Sequence, residues 1–360
     1  MADVAPFRAV RYAHPTEAVV APPYDVITAE ERAVLAARDP HNVVHLTLND
    51  SEEEGGRLFR AWLADGTLVR DREPAVWALA QDYVGPDGVA RTREGLVASL
   101  RVEPYETRVV LPHERTHAGP KESRLRLLRA ARAQIEPIFL LYDGEPPVAP
   151  PPRRPDLDVQ GTRLWHLEGV QGVPAFFAGR QLLIADGHHR YETALAYAAE
   201  EGTESGRMLV VLVSTSDPGL EIFATHRVFS GRPEIAQEFP PEGDVGDVEQ
   251  ALAAIGGEPY DRSVAIAYTG DGAQLVRGAV GDLDVELVDR FGHDGISYTP
   301  DWREAVRRVD GGEADIAFLL RPTRIEDVFE RSRHGEVMPA KTTYFFPKLL
   351  SGLLFHPLDP

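Results

Sequence analysis

Cysteine is absent from the 360 residues, which excludes disulfides, thiolate metal sites and cysteine nucleophiles. Positive charge is scarce: 38 Lys and Arg face 57 Asp and Glu, a formal net charge of −19. Such a surface repels phosphate backbones and anionic headgroups, so no nucleic-acid and no membrane partner is expected. No apolar run approaches the ~18 residues that span a bilayer, and the start MADVAPFRAVRYAHP lacks a basic segment followed by an apolar one. A cytoplasmic protein is the expectation. Also missing are a P-loop, a protein-kinase signature, an internal repeat and a basic helix-turn-helix. What is present is 43% hydrophobic residues, enough for a real core in one large or two ordinary domains.

The pattern along the chain mixes helix and strand. Helices are expected around Ala29 to Ala37 and Arg57 to Ala64. Apolar and polar residues alternate over Ala75 to Tyr83 and Val89 to Val102 across Gly85-Pro86-Asp87-Gly88, a hairpin. Ser123 to Gln134 reads as a helix and Ile138 to Tyr142 as a buried strand. Prolines crowd Glu145 to Pro155, which reads as an extended surface connection. A strand over Gln181 to Ala185, a tight turn and a helix over His188 to Glu201 follow, then a strand at Met208 to Ser214. A hairpin about Gly270-Asp271-Gly272, a helix around Pro300 to Val309 and a strand at Ile316 to Leu320 complete the pattern.

The run Asp186-Gly187-His188-His189-Arg190 sets polar groups at a helix start directly after an apolar strand. A helix N-terminus offers unpaired N–H donors and the positive end of the macrodipole, so an anion is favoured there. His188, His189 and Arg190 add donors and charge, Gly187 permits positive φ, and Asp186 would cap the helix or hold a divalent cation that bridges phosphate oxygens. The plain alternative is an N-cap, a turn glycine and solvated first-turn residues.

This turn resembles the phosphate loop of the ParB and sulfiredoxin superfamily in its free-serine kinase branch. Along most of its length the chain is similar to the domain of unknown function 1015 family, described as SerK-like. The match runs through Ala21-Pro22-Pro23-Tyr24-Asp25-Val26-Ile27, through His113-Glu114 with Thr116, Gly119-Pro120-Lys121 and Arg124, and through the turn at Asp186. It continues in Thr225-His226-Arg227 and ends in Met338-Pro339-Ala340-Lys341-Thr342-Thr343-Tyr344-Phe345-Phe346-Pro347-Lys348. The resemblance implies a mixed α/β (α+β) fold with a ParB/sulfiredoxin-like core over residues 104–230. An N-terminal mixed lobe (1–103) and a C-terminal α/β lobe (231–360) that contributes to the site would flank it.

It also implies roles. The serine kinase branch carries a catalytic glutamate upstream of its phosphate turn, followed by a helix and a Pro-Ile strand. Glu114, the 123–134 helix and Pro137-Ile138 reproduce that order, so Glu114 is the candidate general base, with Asp186 and His188 beside it in catalysis. Ser123 stands where that family has an aspartate, which leaves the role of that carboxylate without a bearer. Donor phosphates fall to Gly187, His189 and Arg190, with Lys121, Arg124, Lys341 and Lys348 neutralising charge. Tyr24, Asp25, Thr343 and Tyr344 are the substrate-binding candidates, and Asp186 is the Mg2+ ligand. The reaction expected is phosphoryl transfer from a nucleotide (ATP or ADP) or pyrophosphate to the hydroxyl of free serine or a similar small alcohol, by a chain compatible with a homodimer.

Rival readings use the same residues. A phosphatase would present water at the anion site, and a nucleotide-binding regulator would bind without turnover. His113-Glu114-Arg115-Thr116-His117 also spells the zinc-hydrolase pattern, but Pro112 before it and Gly119-Pro120 after it leave little helix to bring both imidazoles to one face.

Overall fold

The computed structural model describes residues 1–114, 118–202, 206–240 and 248–358, with the backbone alone at 118–120. Among the described residues a nine-stranded mixed sheet runs in the order Val110–Leu111, Leu182–Asp186, Ile138–Tyr142, Arg207–Ser214, Ala90–Arg101, Val76–Val84, Thr162–Leu167, Leu157–Val159, with Val4–Ala5 also on Ala90–Arg101. Leu182–Asp186 is parallel to Val110–Leu111 and Arg207–Ser214 is parallel to Ile138–Tyr142, while the other pairs are antiparallel. Both faces of the central strands are covered. Phe139, Leu141, Leu183, Val211 and Val213 enter one core with the N-terminal helices, and Ile138, Leu140, Ile184, Val210 and Leu212 enter another with Tyr191 and Phe177. Two-sided burial is why these strands read as continuous apolar runs.

A second, five-stranded antiparallel sheet has the order Gly272–Val280, Arg262–Thr269, Ile316–Leu320, His226–Phe229, Ile296–Thr299. The mixed α/β class is as expected. The large sheet draws strands from both 1–103 and 104–230, and His226–Phe229 belongs to the second sheet. The chain then returns. Ser351 bridges Ala21, Phe355 bridges Val10, and His356–Pro357 pairs with Ala133–Gln134.

Two helices depart from expectation, one through its cap and its packing and the other through a long-range pairing. Helix Glu52–Ala64 starts before Arg57 because Ser51 accepts a hydrogen bond from the Glu54 N–H at 3.2 Å and three glutamates sit at the positive end of the dipole. Gly55 and Gly56, poor helix formers, are placed by packing, since a Cβ on Gly56 would lie 2.4 Å from Ala130 of the facing helix. Helix Ala118–Ala131 ends early, at Arg132 with φ 52°, because Ala133 and Gln134 are drawn into extended pairing with the C-terminal segment.

The second sheet is pinned by a buried ion pair. Arg321 Nη2 and Nε donate to the two Asp284 oxygens at 2.7 Å each, and Arg321 also donates to the carbonyls of Glu258, Pro259 and Arg262 at 2.9–3.1 Å. Asp284 Oδ1 further accepts from the Val264 N–H at 2.7 Å. The side chains are 1% and 8% exposed, so removing one partner strands a charge. Asp284→Ala should lower unfolding stability by about 3–5 kcal/mol, read from the urea midpoint, with the Arg321→Met, Asp284→Leu double variant recovering part of the loss.

Candidate active site

The site is assembled around the end of strand Leu182–Asp186. Pairing with Ile138–Tyr142 shifts register between Ile184 and Asp186, and Gly187 follows at φ 98°. A Cβ there would lie 2.5 Å from the Ile138 side chain, so conformation and space both require glycine. Helix His188–Glu201 begins on it.

Asp186 does not stand open. Its Oδ2 accepts from Arg190 Nη2 at 2.7 Å and its Oδ1 bonds Lys348 Nζ, which arrives from the C-terminal segment. Burial pushes the carboxyl up, but Lys348 and Arg190 outweigh it and hold it at about 2. The Mg2+ role expected of Asp186 therefore does not fit the residues around it: both oxygens are engaged by cations. Among the described residues no group of three or more His, Asp or Glu side chains is placed to hold a metal ion. Arg190, 7% exposed, also donates to the Pro137 carbonyl. Burial opposes its charge, and Asp186, Asp25 and Glu136 more than compensate.

His188 turns inward rather than toward a ligand. Its Nε2 accepts the His113 backbone N–H at 3.2 Å, and the rings lie 4.7 Å apart, edge to face. His113 Nδ1 bonds the Ile184 carbonyl at 2.6 Å, which fixes that nitrogen as the N–H, so Nε2 accepts from the Thr343 hydroxyl at 2.9 Å. Burial lowers the pKa of both imidazoles. With both nitrogens of His113 engaged, the zinc reading of His113-Glu114-His117 loses its first ligand. His117, Arg115 and Thr116 lie outside the described residues.

Glu114 and His189 line one cleft of about 720 Å³, together with Met338 to Lys341 and, from the second sheet's lobe, Glu286, Asp289, Arg290 and His293. Glu114 Oε1 accepts the Lys341 backbone N–H at 3.2 Å, with Lys341 at φ 57° and its side chain exposed. Glu114, the first turn after Gly187 and the C-terminal segment thus meet, 75 and 227 residues apart in sequence.

The remaining expected residues divide. The Tyr24 N–H donates to Glu136 at 3.0 Å, Arg124 stacks on the Tyr24 ring at 4.3 Å, and Asp25 bears on the charge of Arg190. Arg124 is tied down by the Thr47 carbonyl at 2.7 Å and Ser123. Tyr344 lies within the field of Lys348 and pairs in a short strand with Phe223. Lys121 turns to Glu192. Sequence reasoning missed Glu136, 5% exposed, which also accepts from Ser351 at 2.9 Å; its signal was an acid lodged between Ile135 and Pro137. It also missed Arg93, wholly buried, whose Nη2 donates to Gln81 at 2.6 Å and to the Pro347 carbonyl at 2.7 Å, fixing the turn that delivers Lys348. A lone arginine in a hairpin strand carries no such signal.

A family model described as "Protein of unknown function (DUF1015)" matches residues 4–284. The chain belongs to this family. The span matched to the DUF1015 family includes Tyr24, Glu114 and the Asp186 turn, while Lys341, Thr343 and Lys348 lie beyond it. Solved structures similar to this DUF1015 chain include a conserved hypothetical protein from Pyrococcus furiosus, at 17% identity and TM-score 0.39 over 69% of this chain and 92% of that one. A free serine kinase in complex with AMP has 17% identity and TM-score 0.39 over 66% and 83%. SbnI with C-terminal truncation from Staphylococcus aureus has 14% identity and TM-score 0.42 over 72% and 87%. Likeness this loose carries no argument about chemistry. No curated protein matches the sequence. No helix of the described residues is long and apolar enough to cross a membrane.

Proposed function

We propose that the chain is a phosphotransferase that moves a phosphoryl group from a nucleotide to the hydroxyl of a small polar acceptor, free serine being the acceptor to test first. The observation that carries this reading is the meeting of Glu114 and His189, at the first turn after Gly187, in one cleft large enough for a small substrate. An alcohol is a weak nucleophile until a positioned carboxylate takes its proton, and a helix start is where a transferring phosphoryl's charge is best received. Lys341 lines the same cleft. Lys348 and Arg190 supply positive charge behind the turn, organised by Asp186. No step is routed through a metal ion, because the oxygens of Asp186 are engaged. A donor's own counter-ion would come with it.

The test is phosphorus NMR of the protein with free serine and, in separate samples, ATP, ADP and pyrophosphate. Phosphoserine from one donor supports the reading. Free phosphate alone would make the protein a hydrolase, and nucleotide binding without turnover would make it a regulator.

A further inference from the structure

The mechanism above leaves one hydroxyl unused, and it is held in an unusual way. Thr343 Oγ1 lies 2.9 Å from His113 Nε2, and His113 Nδ1 lies 2.6 Å from the Ile184 carbonyl. The carbonyl can only accept, so Nδ1 carries the ring proton, Nε2 is a free lone pair and the threonine proton points at it. The Thr343 oxygen, half-buried, is then left with its acceptor lone pairs alone. A hydroxyl bonded to a base that is itself oriented by a third group is the arrangement of an activated alcohol nucleophile. A backbone carbonyl as the third group sets the tautomer without adding charge.

The surroundings suit that chemistry. His113 is 1% exposed and its ring is held by the Nδ1 contact to the Ile184 carbonyl, with its backbone N–H tied to His188. Glu114 follows it in the chain and lines the ligand cleft, while Lys341 and Lys348 flank Thr343 two residues before and five after. Glu114 and Asp186 favour a positive charge on the imidazole, but burial outweighs them and keeps His113 neutral at rest, with its Nε2 lone pair turned to the Thr343 hydroxyl. Phe345 packs edge to face on His113 at 6.5 Å and on Phe139 at 5.7 Å, which seats the segment carrying Thr343.

We infer that Thr343 is a covalent phosphoryl acceptor, so that transfer proceeds in two displacements through a phosphothreonine. This rests on the phosphotransferase reading. In the first step Thr343 Oγ1 attacks the terminal phosphorus of a nucleoside polyphosphate. The new O–P bond forms, the bond from phosphorus to the bridging oxygen breaks, and the shortened nucleotide leaves with that electron pair. The threonine proton passes to His113 Nε2. In the second step the acceptor alcohol attacks the same phosphorus and gives its proton to Glu114. The Thr343 oxygen leaves and recovers its proton from His113.

The experiment incubates the full chain with terminally 32P-labelled ATP and no acceptor, quenches in acid and maps the label by tandem mass spectrometry. A single acid-stable phosphoryl group on Thr343 is expected, discharged when serine is added, with parallel double-reciprocal plots at steady state. Thr343→Ser should carry the label, and Thr343→Val, checked for native circular dichroism, should not. His113→Gln should label ~10²- to 10⁴-fold more slowly. Serine phosphorylation with no labelled enzyme and intersecting plots would overturn the covalent route while leaving the kinase reading intact, as would label on another residue. If neither ATP nor terminally labelled ADP, run in parallel, is bound or consumed, the kinase reading fails instead.

Discussion

Glu114→Gln should reduce phosphoryl transfer by ~10²- to 10⁴-fold, about 3–5 kcal/mol of barrier, with KM for the acceptor little changed. The substitution isolates one property. Glutamine keeps the shape of the side chain and an Oε1 that still accepts the Lys341 N–H now held at 3.2 Å, so the C-terminal segment stays seated. Only the capacity to take a proton is removed. A fall in kcat at constant KM, with an unaltered thermal midpoint, is the signature of an interaction made in the transition state. Turnover at the unsubstituted rate would sink the assignment of Glu114 as base, and a matching fall in stability would recast it as a structural carboxylate. In the two-displacement route the variant should still accumulate labelled Thr343, because the defect lies in discharge.

The elements around this site were legible because each has a local cause. The hairpin across Gly85 to Gly88, the strand ending at Asp186 and the helix from His188 to Glu201 follow from alternation, a turn glycine and helical spacing. The meeting of Glu114, His189 and Lys341 was suggested by resemblance and not by spacing, since nothing local links residues 227 apart. What stayed hidden was the partner of each charge. Asp186 reads in sequence as an open carboxylate, and Lys348 reaches it across 162 residues. His188 reads as a phosphate donor, and a backbone N–H 75 residues away occupies its Nε2. The single sheet that joins the first two expected domains was hidden for the same reason: strand neighbours such as Ala90–Arg101 and Arg207–Ser214 are distant in the chain.

The C-terminal segment is therefore a structural part of the site. It crosses from the second sheet, where Arg227 holds it through the Ala340 and Lys341 carbonyls at 3.3 and 3.2 Å, to the large sheet, where Arg93 receives it through the Pro347 carbonyl at 2.7 Å. Between those two contacts it presents Thr343 to His113, and directly after the second it presents Lys348 to Asp186. Each of these ties joins a charged or titratable group to an element far from it in sequence, so assembly of the site and closure of the fold are one event.

That coupling gives the protein an acid-sensitive fold. His113, His188, His226 and His356 are 1%, 7%, 3% and 8% exposed, and burial lowers the pKa of each, to about 4 for His226 and His356. Nearby positive groups act in the same direction, Arg227 on His226 and Arg207 on His356. In the unfolded chain each imidazole titrates near its ordinary 6.5. Below that pH the unfolded state binds protons that the native state refuses, so stability is full above 6.5 and falls as pH drops toward 4. Each such histidine contributes a slope of up to about 1.4 kcal/mol per pH unit. Asp217 and Glu221, whose carboxyls burial pushes up, oppose the trend, while Asp186 and Glu52, both held at about 2, add to it below the ordinary carboxylate range. Against a typical total stability of about 5–15 kcal/mol, the histidines together remove a substantial share as pH falls from 6.5. Urea midpoints at pH 7.5, 6.5, 5.5 and 5.0 should decline steeply below 6.5, and calorimetry at pH 5.5 should show net proton uptake on unfolding. His356→Gln should flatten the decline by about one histidine's share, since glutamine can still meet the Ser99 hydroxyl that His356 Nε2 contacts at 2.8 Å. A midpoint that stays level from pH 7.5 to 5.0 would mean that these imidazoles take up protons in the native state, and the neutral His113 that orients Thr343 would go with it.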